Sequence, residues 1–124
     1  MEAALRAEEI EKVLKGQRLG RKIHYFSALD STNLYARKLA EEGALEGEVV
    51  VAESQTGGKG RLGRIWISPP NLNVYLSVIL RPKLPPLHAP QIPLMSAVAL
   101  AETVQCFIPL PTEIKWPNDI LVGG

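Results

Sequence analysis

Gln55-Thr-Gly-Gly-Lys-Gly-Arg-Leu-Gly-Arg-Ile-Trp-Ile-Ser-Pro69 decides the fold class. Gly58, Gly60 and Gly63 satisfy G-x-G-x-x-G, and the run Val49-Val-Val-Ala52 before them reads as a buried strand. A dinucleotide-binding turn must then open a helix whose N-terminus receives pyrophosphate. Ile65-Trp-Ile-Ser-Pro-Pro70 is a poor helix start. A Walker loop also fails, because position 53 is Glu53 and Lys59 is followed by Gly60 rather than Ser or Thr. No Asp-Phe-Gly follows, as a kinase glycine loop would require.

Around this segment the elements do not alternate as a doubly wound fold demands. The charges and apolar spacing of residues 2–15 predict a short amphipathic helix. Lys22–Phe26 reads as a strand, and a helix capped near Ser31 and stopped by Gly43 follows. Strands are expected over 48–54 and 73–80, a buried helix over 94–107, and strands over 112–116 and 119–122. This order predicts an α+β fold with a mixed or antiparallel sheet and flanking helices.

The chain has 124 residues, and 14 Lys and Arg against 13 Asp and Glu give a net charge of +1. That length suits one domain with its own core, and the near-balance excludes a uniformly basic nucleic-acid binder. The balance is uneven along the chain. Residues 54–101 contain no acid but hold Lys59, Arg61, Arg64, Arg81 and Lys83. Four glycines at 57–63 let backbone N–H groups approach an anion, and three cations flank them. The alternative is a flexible hairpin with solvated charges, and composition alone leaves both open.

A single cysteine, Cys106, excludes a disulfide framework and is expected to be a small buried hydrophobe. No stretch is apolar enough to span a membrane, no signal core opens the chain, and a cytoplasmic protein is expected. His24 and His88 stand apart and suggest no metal site.

Three segments together narrow the reading: Asp30-Ser-Thr-Asn33 opening a helix, the glycine-basic segment 55–69, and Lys115-Trp-Pro-Asn-Asp119 ending a strand. In this order, from about Lys22 to the last residue, they resemble the biotin–protein ligases. The resemblance implies a class II aminoacyl-tRNA-synthetase-like catalytic domain, here truncated to its N-terminal half. Residues 1–21 would be a helix and linker, and 22–124 a partial catalytic domain. It implies attack of biotin carboxylate on the α-phosphate of Mg-ATP, then transfer from biotinyl-5′-adenylate to a lysine of a biotin carboxyl carrier domain. ATP and Mg2+ would be the cofactors.

Residue by residue, the resemblance assigns Ser31, Thr32, Asn33 and Gln55 to biotin, with a helix N-cap as the alternative for Ser31 or Thr32. It assigns Lys59, Gly60 and Arg61 to biotin and the adenylate, Lys59 and Arg61 as the catalytic pair. Lys59 stands where the family commonly has arginine, which keeps the charge and loses the planar fork. Trp66 would wall the pocket or pack in the sheet core. Gly58, Arg64, Asn118 and Asp119 fall to ATP, Asp119 acting indirectly through Mg2+; a Pro-Asn turn is the alternative for Asn118 and Asp119. The chain stops where a further lysine-bearing turn of the family would begin, so it is expected to be weakly active alone and to expose a sheet edge and apolar surface. No DNA-binding domain is expected in this chain, and a homodimer is allowed for a longer form. A lipoate or octanoate ligase or transferase of the same fold, and a non-catalytic biotin-binding fragment, are the competing readings.

Overall fold

A computed structural model describes residues 4–124. They divide into two compact units, one running to Arg81 and the other spanning Pro82–Gly124. The break falls at the start of the proline cluster.

In the first unit, helix α1 (Ala7–Val13) precedes strand β1 (Lys22–Phe26), helix α2 (Thr32–Glu41), strand β2 (Glu48–Ala52) and strand β3 (Tyr75–Val78). The sheet order is β1-β2-β3, with β1 parallel and β3 antiparallel to β2. The mixed sheet is therefore as expected. A parallel pair needs a crossover, and α2 supplies it. All five residues of β2 are buried, which is why Val49–Ala52 is a continuous apolar run rather than an alternating one.

Pairing Ile23 with Val49 and Val49 with Val78 puts these residues on one sheet face. Leu5, Ile10 and Leu14 stand over that face, leaving an apolar cavity of about 260 Å3. On the opposite face Val50 and Ile79 pack with Ala36 of α2, joined by Phe26, Tyr35 and Leu39. Phe26 and Tyr35 meet edge to face, ring centres 4.7 Å apart. On this face, too, His24 Nε2 lies 2.8 Å from Glu48 Oε1, and Leu45 N donates to Glu48 Oε2. The histidine hydrogen bond holds the Glu48 carboxyl below its usual range, against the opposing effect of burial.

α1 is shorter than the sequence reading of 2–15. Leu5 N donates instead to Glu53 Oε1, and Gly16 lies at φ 84° just beyond the helix. Residues 2 and 3 of that expectation lie outside the described residues. Glu11 of α1 accepts from Ile23 N, 2.7 Å away, satisfying a donor of edge strand β1.

The second unit has helix α3 (Gln91–Phe107) and an antiparallel pair, β4 (Thr112–Lys115) and β5 (Asp119–Val122). α3 begins three residues before the expected 94; Pro93 sits in its first turn, where its missing N–H leaves no helical bond unmade. Two expectations are corrected here. α3 buries only Ala97 and Ala101 and is not a buried helix. Cys106 is exposed, its Sγ donating to Glu102 O. Apolar composition suggested burial, but within this unit α3 packs on a sheet of only two strands.

Candidate functional site

The first unit builds its site where α2 begins. Ser31 is the N-cap: it has extended φ/ψ, and its Oγ accepts from Leu34 N at 3.3 Å. The capping alternative is therefore realised, and the Ser31 hydroxyl proton remains free to donate elsewhere. Thr32 is 4% exposed, and its Oγ1 lies 2.9 Å from Ser77 Oγ of β3. Asn33, in the first turn of α2, faces solvent. Asp30 orders the approach: its Oδ1 accepts from Ser31 N and its carbonyl from Gly57 N.

Gln55 joins this helix start to the glycine-basic segment. Its Oε1 accepts from Thr32 N at 2.8 Å, and its Nε2 donates to Ser68 Oγ at 3.1 Å. Gln55 also pairs with Leu29 on one side and Ser68 on the other. From there residues 55–68 fold back on themselves as a hairpin. Trp66 N donates to Gly58 O, Lys59 pairs with Ile65, and Gly60 N donates to Arg64 O. Arg61–Gly63 make the tight turn, with Leu62 at φ 59°.

Gly58 is needed for this closure. A Cβ there would lie 2.8 Å from Trp66 O and 2.9 Å from Ser68 Oγ. The G-x-G-x-x-G spacing thus serves a hairpin rather than the start of a phosphate-binding helix. The hairpin bears Lys59, Arg61 and Arg64, all exposed, and among the described residues none of the three forms an ion pair. Three cations on one turn suit an anionic ligand, whereas Thr32 N–H and Leu34 N–H at the start of α2 are already taken by Gln55 and Ser31.

Trp66 is 57% exposed, so its sheet-core alternative does not hold. Its ring lines a shallow groove with Ile65, Ile67, Asn73, Val74 and Tyr75. Tyr75 Oη donates to Pro69 O and accepts from Asn73 Nδ2, which closes the 69–75 turn beneath that groove.

Asn118 and Asp119 belong to the second unit. Asp119 opens β5 opposite Lys115, and Trp116-Pro-Asn118 make the turn, with a cis peptide before Pro117. Both Asn118 and Asp119 are exposed. Among the described residues no group of three or more His, Cys, Asp or Glu could hold a metal ion. A lone carboxylate beside an amide fits a Mg2+ already carried by phosphates, not a metal held by the protein alone.

Of the expected site residues, the structure brings Ser31, Thr32, Gln55, Gly58 and Trp66 into one bonded junction, with Lys59, Gly60, Arg61 and Arg64 on the hairpin that grows from it. Asp30, Ser68 and Ser77 also build this junction and Tyr75 closes the turn that follows it; none of the four was assigned a site role from the sequence. Ser68 carried one usable signal, a small hydroxyl residue between apolar Ile67 and Pro69 in the segment already singled out.

Residues 25–124 match the biotin/lipoate A/B protein ligase family. The chain is 42% identical over 120 residues to the bifunctional ligase/repressor BirA of Bacillus subtilis, covering 97% of this chain and 37% of that protein. It is 40% identical over 98 residues to the biotin–[acetyl-CoA-carboxylase] ligase of Paracoccus denitrificans, covering 77% of this chain and 40% of the relative. In structure it is similar to the biotin protein ligase of Aquifex aeolicus in complex with biotin and ATP. The TM-score is 0.67 at 34% identity, over 79% of this chain and 40% of that one. The Leishmania major biotin protein ligase in complex with biotinyl-5-AMP gives a TM-score of 0.66 at 29% identity, over 82% and 47%. The chain thus spans between 37% and 47% of the length of these relatives.

Proposed function

The chain belongs to the biotin/lipoate A/B protein ligase family, and from that membership we propose that it carries the biotin- and adenylate-holding part of a biotin–protein ligase. The observation that carries this reading is the Thr32–Gln55–Ser68 junction, which sets the donors at the start of α2 beside the cationic hairpin.

The reaction joins two anions, biotin carboxylate and the α-phosphate of ATP. A carboxylate oxygen forms a bond to phosphorus as the bond to pyrophosphate breaks. A carrier lysine amine then attacks the acyl carbon, and AMP leaves. Bringing the anions together requires fixed positive charge where negative charge accumulates. Arg61 and Lys59 supply it from the hairpin, Arg61 with a planar fork and Lys59 as a point charge. Ser31, Thr32, Asn33 and Gln55 offer hydroxyl and amide groups to the ureido ring, and the Gly60 backbone lets the ligand approach. Trp66 covers the apolar part of biotin. A hairpin lying over the mixed anhydride keeps water from it.

Gly58 and Arg64 serve the nucleotide side of the same hairpin. In the second unit, Asn118 and Asp119 would face the magnesium-bearing phosphates, where Mg2+ offsets their charge. ATP dependence and a carrier-domain acceptor make the cytoplasm the site of action, and among the described residues no helix is long and apolar enough to cross a membrane.

Calorimetric titration of the chain with biotin and, separately, lipoate tests the reading. Saturable binding of biotin, weakened by Arg61→Ala, is expected. Saturable lipoate binding without biotin binding would move the chain to the lipoate branch of the family.

A further inference from the structure

We propose, resting on the biotin reading above, that Ser68 is a positioning residue that, together with the Thr32 N–H, holds the Gln55 amide in one orientation toward its ligand. A primary amide can turn over, exchanging its oxygen and nitrogen. Two neighbours prevent this. Thr32 N–H is a fixed donor, so it demands Oε1, 2.8 Å away. Ser68 Oγ lies 3.1 Å from Nε2, but a hydroxyl can donate or accept and so does not choose by itself. The Trp66 carbonyl makes the choice. It accepts the Ser68 proton at 3.3 Å, and Ser68 must then present a lone pair to Nε2.

Ser68 is suited to this because it is buried, 5% exposed, where water competes little for its hydrogen bonds. The absent side chain of Gly58 leaves room for the contact, since a Cβ there would sit 3.1 Å from Gln55 Nε2 and 2.9 Å from Ser68 Oγ. Held this way, Gln55 keeps one N–H and one oxygen lone pair unspent. A cyclic urea offers the matching pair, a carbonyl acceptor flanked by N–H donors. Ser68 touches no ligand itself; it acts through Gln55 and couples that amide to the arm of the hairpin that bears Trp66.

The test combines NMR of the Gln55 side-chain amide with biotin titration of the whole chain. Ser68→Ala is expected to move the Gln55 Nε2 proton signals and to weaken biotin binding about ten-fold, the loss that follows when one partner of a buried hydrogen bond is removed. Ser68→Thr, which restores the hydroxyl, should recover both. In a Gln55→Ala background, Ser68→Ala should change biotin affinity by less than about two-fold, because the residue through which it acts is gone. Unmoved Gln55 signals in Ser68→Ala, or an equal loss of biotin affinity in the Gln55→Ala background, would overturn the proposal. If Ser68→Ala does not fold, Ser68→Cys keeps the volume, weakens the acceptor and gives the same readings. If the unmutated chain binds no biotin, the functional reading falls, while the Gln55 signals still decide whether Ser68 orients that amide.

Discussion

Replacing Gly58 by alanine should loosen the hairpin that carries the proposed adenylate-holding cations. Gly58 has no positive φ, so alanine meets no backbone penalty there. Its cost is contact alone. The new Cβ would fall 2.8 Å from Trp66 O, 2.9 Å from Ser68 Oγ and 3.1 Å from Gln55 Nε2. The nearest of these is backbone and cannot swing aside, so the two arms must separate. Overpacking of this kind costs about 1–3 kcal/mol. It works against the Trp66 N to Gly58 O bond, now 2.9 Å, which contributes about 1 kcal/mol. A central value of about 2 kcal/mol predicts roughly thirty-fold faster hydrogen exchange at the Trp66 amide. Gly60→Ala is the control. Its Cβ would meet nothing closer than 3.6 Å, so Trp66 exchange should stay within about two-fold of the parent. Unchanged exchange in Gly58→Ala, or an equal acceleration in Gly60→Ala, would refute this account of the hairpin.

Arg61→Ala should leave thermal stability unchanged and weaken biotinyl-5′-AMP binding by about ten- to hundred-fold, the range for hydrogen bonds to charged groups; Lys59→Arg should keep or improve it, by calorimetry. Ser77→Ala strands the buried Thr32 hydroxyl and should lower unfolding stability by about 1–3 kcal/mol, whereas Thr32→Val with Ser77→Ala should cost less than the sum of the single changes in urea titration. Glu48 binds its proton at lower pH folded than unfolded. Its contribution is therefore full above the ordinary carboxylate range and is lost as pH falls through the lowered folded value. Glu48→Gln should flatten the acid limb of stability against pH, and an unchanged limb would exclude the His24–Glu48 contact as its source.

Where side-chain pattern alone dictates structure, the sequence was readable. Alternation located β1 to the residue, the Pro117-Asn118 turn located the start of β5, and Ser31 with Gly43 bracketed α2 because capping and termination are local chemistry. The hairpin was only half legible. Its glycines and cations left an anion-facing turn and a flexible hairpin both open, the register depends on which backbone groups meet, and Gly58 opposite Trp66 has no local signature. The Gln55–Ser68 contact joins residues thirteen apart that become neighbours only when the hairpin closes. The exposure of α3 was hidden for a different reason: apolar composition says that a face can be buried, not how much partner surface its unit provides.

The hairpin's exposed cations also bear on how quickly a ligand arrives. Lys59, Arg61 and Arg64 project from a turn in a stretch without acids, so their fields add outward instead of cancelling. An anion drifting past would be drawn toward the turn before any hydrogen bond forms, raising the association rate constant more than the lifetime of the complex. Added salt shortens the reach of that field to about 8 Å at physiological ionic strength. Stopped-flow capture of an anionic ligand should therefore slow with salt, while its departure rate changes far less.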